Sequence, residues 1–128
     1  MNTVHTARPV PRRFPRHVFA TGAEPDPRFT LANERTFLAW IRTALALIAA
    51  GVAIEALAVP LHPTVRLSTA VILIGLGLVV PPLAWRSWGR AEGALRRETP
   101  LPASLVAPVL AAGVGAVGAL LVVGLLIR

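Results

Sequence analysis

The chain has 128 residues, 55% of them hydrophobic, and its 13 basic residues against 6 acidic ones set a formal net charge of +7 and a pI near 11.9. The apolar residues fall in several windows of about 20 with almost no charge, which excludes one soluble core with alternating polar faces and points to a small membrane protein. The lack of cysteine excludes disulfides, thiolate metal sites and cysteine nucleophiles; the basic balance, which in a soluble chain would suggest nucleic acid, is read here as membrane topology.

Residues 1–26, Met1 to Asp26, are rich in proline and arginine ("ARPVPRRFPRH") and show no apolar periodicity, so they are expected to form a disordered cytoplasmic tail. The "RRF" within them is followed by proline rather than by an apolar region and does not make a twin-arginine export signal. A first helix is predicted from Asp26 or Pro27, where an acidic cap and a proline at the first helical position suit a helix start. It should enter the membrane near Phe37 and span residues 37–59, ending before the "PLHP" turn that Pro60 and Pro63 bracket. The second span is expected over 67–84, Leu67 to Ala84, with Pro81 and Pro82 kinking its cytoplasmic end. Trp85 and Trp88, beside Arg86 and Arg90, read as an interfacial anchor. "AEGALRRETPLP" is then part helical extension and part turn, and an uncharged third span covers 105–127, Leu105 to Ile127.

The expected fold class is therefore an all-α membrane protein with three transmembrane helices, residues 27–128 forming one domain. All 13 basic residues are arginine. Arg8, Arg12, Arg13, Arg16, Arg28 and Arg35 precede the first apolar run, and Arg86, Arg90, Arg96 and Arg97 follow the second; Arg42 lies within the first run, Arg66 alone is in the loop between the two, and Arg128 ends the chain. Because positive loops stay cytoplasmic, the N-terminus is placed in the cytoplasm and the C-terminus outside.

Two kinds of row run along the helices. Ala107, Ala111, Gly115 and Ala119 recur every fourth position in the third span, and Ala32, Ala39, Ala46 and Ala53 every seventh in the first, beside Leu31, Leu38 and Leu45. Such small residues let another backbone approach, so Ala39, Ala46, Ala111 and Gly115 are the helix-packing candidates. Arg28, Arg35 and Arg42 are also seven apart, so each is offset from the last by about 20° and climbs about 10 Å. A guanidinium deep in a bilayer costs at least about 2.5 kcal/mol and normally faces a partner, a wet cavity or the interface. Two accounts stay open: anchors paired with Glu34, Glu92, Glu98 or anionic lipid head groups, or a ladder turned inward in an oligomer as a path for an anion.

The stretch "RFTLANERTFLAWIRTALALIAAGVAI" resembles the signature of the YidH-like family, a domain of unknown function in small bacterial inner-membrane proteins, which also forms the membrane domain of the fungal vacuolar transporter chaperone. The resemblance runs from about Arg28 to the C-terminus, strongest over "LANERTFLAW" and weaker over "WRSWGRAEGALRRE". It implies a three-helix fold in the inner, or plasma, membrane and, by analogy with the fungal complex, a homologous ring through which polyphosphate passes while a separate domain makes it. The counterparts of the basic path residues there are Arg28, Arg35 and Arg90, the last in a segment, "WGR", that carries one residue more than the fungal pattern. Neither a polymerase domain nor an inositol-phosphate sensor occurs in this chain, so polyphosphate rests on family analogy alone.

The remaining candidates are weaker. Glu55, an acid in an apolar run, could serve proton-linked export, but near the outer interface it is expected to pair with water, Arg66 or His62. Asn33 and Glu34 are read as a cap or ion pair, with Glu34 meeting a neighbouring copy's Arg35. His5, His17 and His62 have no metal-ligand spacing, Thr36 and Thr43 should bond back to helix carbonyls, and no nucleophile-base set, phosphate loop or cofactor motif occurs. The sequence thus reads as a non-enzymatic membrane protein with a basic cytoplasmic vestibule built from Arg28, Arg35, Arg42 and Arg90. Its expected partners are membrane lipid, further copies of itself and polyphosphate or another polyanion, without nucleic acid. The alternative is a scaffold that binds anionic lipid and other membrane proteins.

Overall fold

A computed structural model describes residues 13–127. Four helices follow in order: α1 (Arg16–Phe19), α2 (Pro27–Ala56), α3 (Pro63–Arg96) and α4 (Val106–Leu126). The last three are long and apolar enough to cross a membrane, as the sequence leads one to expect. With 30 and 34 residues, α2 and α3 are about 45 and 51 Å long, well beyond a hydrocarbon core of about 30 Å, so each projects from it.

Local chemistry sets the helix ends. Asp26 caps α2 by accepting the Arg28 N–H at 2.9 Å, ahead of Pro27 at the first helical position. His62 does the same for α3, its Nδ1 accepting the Thr64 N–H at 3.3 Å. At the start of α4, Ser104 Oγ accepts from the N–H groups of Val106 and Ala107. Helix α2 stops three residues short of the expected Val59, because Ala58 turns left-handed (φ 46°) and Val59 N–H bonds back to the Ile54 carbonyl. The end of α3 repeats this reversal: Glu98 has φ 54° and Thr99 N–H bonds to the Ala94 carbonyl.

Helix α3 is the centre of the protein, with α2 along one side, α4 along another and α1 near its C-terminal end. Its residues Val65, Ala70, Leu73, Val80 and Ala84 are buried, and Val80 and Ala84 join Ala44 of α2 and Val106 of α4 in the main apolar cluster. Close approach of α2 and α3 depends on two glycines. Ile74 of α3 lies over Gly51, and Ile48 of α2 lies over Gly77. Against α4, Leu76 covers Gly113, and Val65 covers Gly124.

Pro81 and Pro82 lie inside α3, which runs on to Arg96, the helical extension expected of "AEGALRRETPLP"; they forgo the amide bonds to the Gly77 and Leu78 carbonyls, while Val80 and Ala84 are buried in the main cluster beside them. Ala39, Ala46, Ala111 and Gly115 are all exposed, which leaves them free to meet another copy, and the close helix contacts inside the chain are made at Gly51, Gly77, Gly113 and Gly124. Residues 13–26, expected within an unstructured tail, follow a defined course against α3 with Val18 buried, while residues 1–12 lie outside the described residues.

Candidate functional site

The charged end of the molecule is where α2 begins, α3 finishes and α4 starts. On α2, the residues turned toward α3 are Thr30, Asn33, Phe37, Trp40, Ala44 and Gly51. At 100° per residue they cluster within about 80° of arc, and Arg28, Arg35 and Arg42 lie about 180° from its centre. All three arginines are exposed, and among the described residues none of their guanidinium groups has a hydrogen bond or ion pair. Glu34 is also exposed, and among the described residues its side chain has no hydrogen bond or ion pair. Asn33, by contrast, ties α2 to α3 by donating from Nδ2 to the Trp88 carbonyl at 3.1 Å.

Arg90 lies elsewhere. The residues of α3 that meet the start of α2 are Trp88 and Glu92, and Arg90, between them in sequence, projects about 180° away. It lines a groove of about 540 Å³ between α1, the end of α3 and the 97–102 connection, together with Arg86, Arg97, His17, Thr21 and Thr99. Trp85, Trp88, Val18 and Pro100 supply the apolar walls, and no carboxylate lines the groove. One chain therefore carries two separate basic surfaces, the α2 ladder and the α3 groove, on opposite outer faces of the α2–α3 pair.

A buried ionic latch holds residues 13–26 to α3. Arg96, 4% exposed, donates to the Phe19 carbonyl at 3.1 Å and to Glu24 Oε2 at 3.2 Å, with its guanidinium 4.7 Å above the Phe19 ring. Its Nε lies 3.7 Å from Oε1 of Glu92, which is 1% exposed and also accepts from the Thr30 hydroxyl. Arg13 completes the set at 2.7 Å from Glu24, and its hydrogen bond, aided by the charge of Arg96, holds the Glu24 carboxyl below its ordinary pKa. An aromatic cluster reinforces the attachment: Trp85 stacks on Trp88, Phe14 on Trp85, and Phe19 meets Trp88.

The family described as a domain of unknown function, DUF202, matches residues 28–94. An uncharacterised protein of Mycobacterium tuberculosis is 47% identical over 100 residues, covering 77% of this chain and 82% of the relative. Inner membrane protein YidH of Escherichia coli is 45% identical over 82 residues, covering 63% of this chain and 71% of that protein. The chain belongs to the DUF202 family, the family of YidH. No solved structure matches it.

The DUF202 match takes in the α2 ladder, Arg86, Arg90 and Glu92, and leaves out residues 13–26, Arg96, Arg97 and α4. Reading the sequence missed the latch: Glu92 is spent on Arg96 and Thr30 rather than on Arg35 or Arg42. The i, i+4 spacing of Glu92 and Arg96 is a visible signal, but their burial depends on Glu24 and Phe19 from far up the chain. Glu55 pairs with Arg66 at 3.4 Å, one of its expected partners, and Thr36 and Thr43 bond back to the Ala32 and Ala39 carbonyls. Among the described residues no group of three or more metal-ligating side chains comes together.

Proposed function

We propose that this small integral protein of the DUF202 family resides in a bacterial inner membrane, N-terminus in the cytoplasm and C-terminus outside, and that its copies assemble into an oligomer binding a phosphate-rich anion such as polyphosphate. The observation that carries this reading is the α2 ladder: Arg28, Arg35 and Arg42 stand on the face opposite α3, and among the described residues no acid pairs with them. Arg42 is five residues past Phe37, about 7.5 Å deeper, where permanent charge without a partner is costly. Its compensation comes from outside the protomer, and arginine forks match phosphate oxygens two at a time. Arranged around one axis with their ladders turned inward, copies would build between chains a basic path that one chain does not form. The inner-membrane location follows the name of the E. coli relative.

A second reading, a scaffold that holds other membrane proteins and anionic lipid without transport, draws on α4. Ala107, Ala111, Gly115 and Ala119 form an exposed row, with open space beside Gly115. Polyphosphate binding to the protein in nanodiscs, across a salt series, separates the two. Saturable binding that weakens in both Arg28→Ala and Arg35→Ala supports the anion path, and binding indifferent to those substitutions removes it.

A further inference from the structure

The groove on the far side of α3 is a basic surface independent of the ladder. Arg86, Arg90 and Arg97 project within about 40° of arc along its floor and extend over about 16 Å of helix. Like charges four residues apart oppose each other, and here no acid offsets them. The described acids lie elsewhere: Glu24 with Arg13 and Arg96, Glu92 with Arg96, Glu55 with Arg66, and Asp26 at the cap of α2. Glu34 is on α2, and Glu98, although next to Arg97, is turned out at the helix end and does not line the groove. None of the three guanidinium groups has a hydrogen bond or ion pair among the described residues.

Two further features narrow the ligand. The volume of about 540 Å³ suits one small molecule rather than a length of polymer. Its walls also combine Trp85, Trp88, Val18 and Pro100 with Thr21 and Thr99, whose hydroxyls donate to the Val18 and Ala94 carbonyls and can only accept from a ligand, at the tryptophan level that marks a membrane interface. We propose that the groove binds one phosphate-bearing anion with a glycerol or apolar stem per protomer, the phosphate gripped by Arg86, Arg90 and Arg97 and the stem lying on the Trp85–Trp88 wall. The phosphate can come from an anionic phospholipid head group or from a soluble phosphate ester.

The test uses the full chain in phosphatidylcholine nanodiscs. One arm raises the phosphatidic acid content of the disc, and the other adds glycerol 3-phosphate to the solution; tryptophan fluorescence and native mass spectrometry read occupancy. Saturable binding of one ligand per protomer is expected, weakened about tenfold or more by Arg86→Gln and by Arg97→Gln and changed less than twofold by Arg28→Gln and Arg35→Gln. Arg97→Lys should recover part of the loss. A response in the lipid arm alone assigns the head group, and one in the soluble arm assigns the ester. The ladder variants keep this test separate from that of polyphosphate binding. Binding that fails to saturate in both arms, that ignores Arg86→Gln and Arg97→Gln while their melting temperatures match the parent, or that falls equally in the ladder variants, overturns the proposal.

Discussion

Ile48 of α2 seats its side chain over Gly77 of α3, where a Cβ would collide with it and lie 2.8 Å from the Ala44 carbonyl oxygen. The main-chain oxygen cannot swing aside as a side chain can, so even alanine forces the two helices apart. We expect Gly77→Ala to destabilise the protein by about 1–3 kcal/mol, the usual range for overpacking a filled core. Gly75→Ala is the control: nothing lies within 4 Å of that position, so the change should be neutral or stabilising. Unfolding by SDS titration in mixed micelles measures both; equal behaviour of the two variants would refute the close α2–α3 contact.

These glycines show where reading the sequence stopped. In a soluble helix the apolar stripe marks the inner face, but α2, α3 and α4 are apolar nearly all round, and that guide is lost. The row of Ala39 and Ala46 and the site of Gly51 offer the same kind of signal about 120–140° apart around α2, and only the packed structure separates them. Polar residues were better markers. Asp26, Pro27 and the Pro60–Pro63 turn set the helix borders, Glu55 and Arg66 meet as expected, and the arginine ladder marks the side of α2 away from α3. Arg90 could not be placed relative to that ladder without knowing which side of α3 receives α2. The latch was hidden for a different reason: the proline and arginine content of residues 13–26 reads as tail, and what orders them is a buried arginine 70 or more residues later.

Because Ala111 and Gly115 face away from the rest of the chain, they can be enlarged without harming it. Gly115→Leu should leave the unfolding curve unchanged and reduce the oligomer's mass measured by light scattering in detergent, whereas Gly113→Leu, which meets Leu76, should destabilise the protomer itself. An unchanged mass for Gly115→Leu would assign the outer face of α4 to lipid.

Arg96 joins Glu92, Glu24 and the Phe19 carbonyl, so its removal strands a buried carboxylate and frees residues 13–26. Breaking one side of a buried pair typically costs about 3–5 kcal/mol. Arg96→Met should therefore expose the bond after Arg16 to trypsin, and Arg96→Met with Glu92→Leu should regain stability but not protection, since the Phe19 carbonyl and Glu24 are still not tied to α3. Protection retained in the single variant would place the hold on residues 13–26 in the aromatic cluster instead.

Acid should loosen the same attachment. The Glu24 carboxyl is held below its ordinary value of 4.5, chiefly by the Arg13 hydrogen bond, so its contribution is fully present above that value and fades as pH falls through the lowered one. With its side chain 57% exposed, solvent screens the gain and the effect is a modest one. Trypsin is inactive at such pH, so pepsin cleavage near Phe14 and Phe19 is the suitable readout. Cleavage should rise below about pH 4.5 in the parent, and Glu24→Gln should be equally cleaved across that range. A parent profile as flat as the variant's would remove Glu24 from the latch.

Both helix reversals place a residue with a side chain where glycine is the comfortable choice. Ala58 and Glu98 have φ of 46° and 54°, and each is followed by an amide that bonds back across the helix end. The left-handed conformation costs such residues roughly 1 kcal/mol, partly offset in glycine by the greater entropy of its unfolded chain. Glu98 is exposed and makes no side-chain ion pair among the described residues, so little else is lost on replacing it. Glu98→Gly should raise the melting temperature slightly, by roughly 0.5–1 kcal/mol of stability, while Glu98→Val, β-branched at the same φ, should lower it. Opposite signs in a thermal melt would show that the α3 reversal is strained at this residue; a loss on Glu98→Gly would mean that the carboxylate contributes to the end of α3.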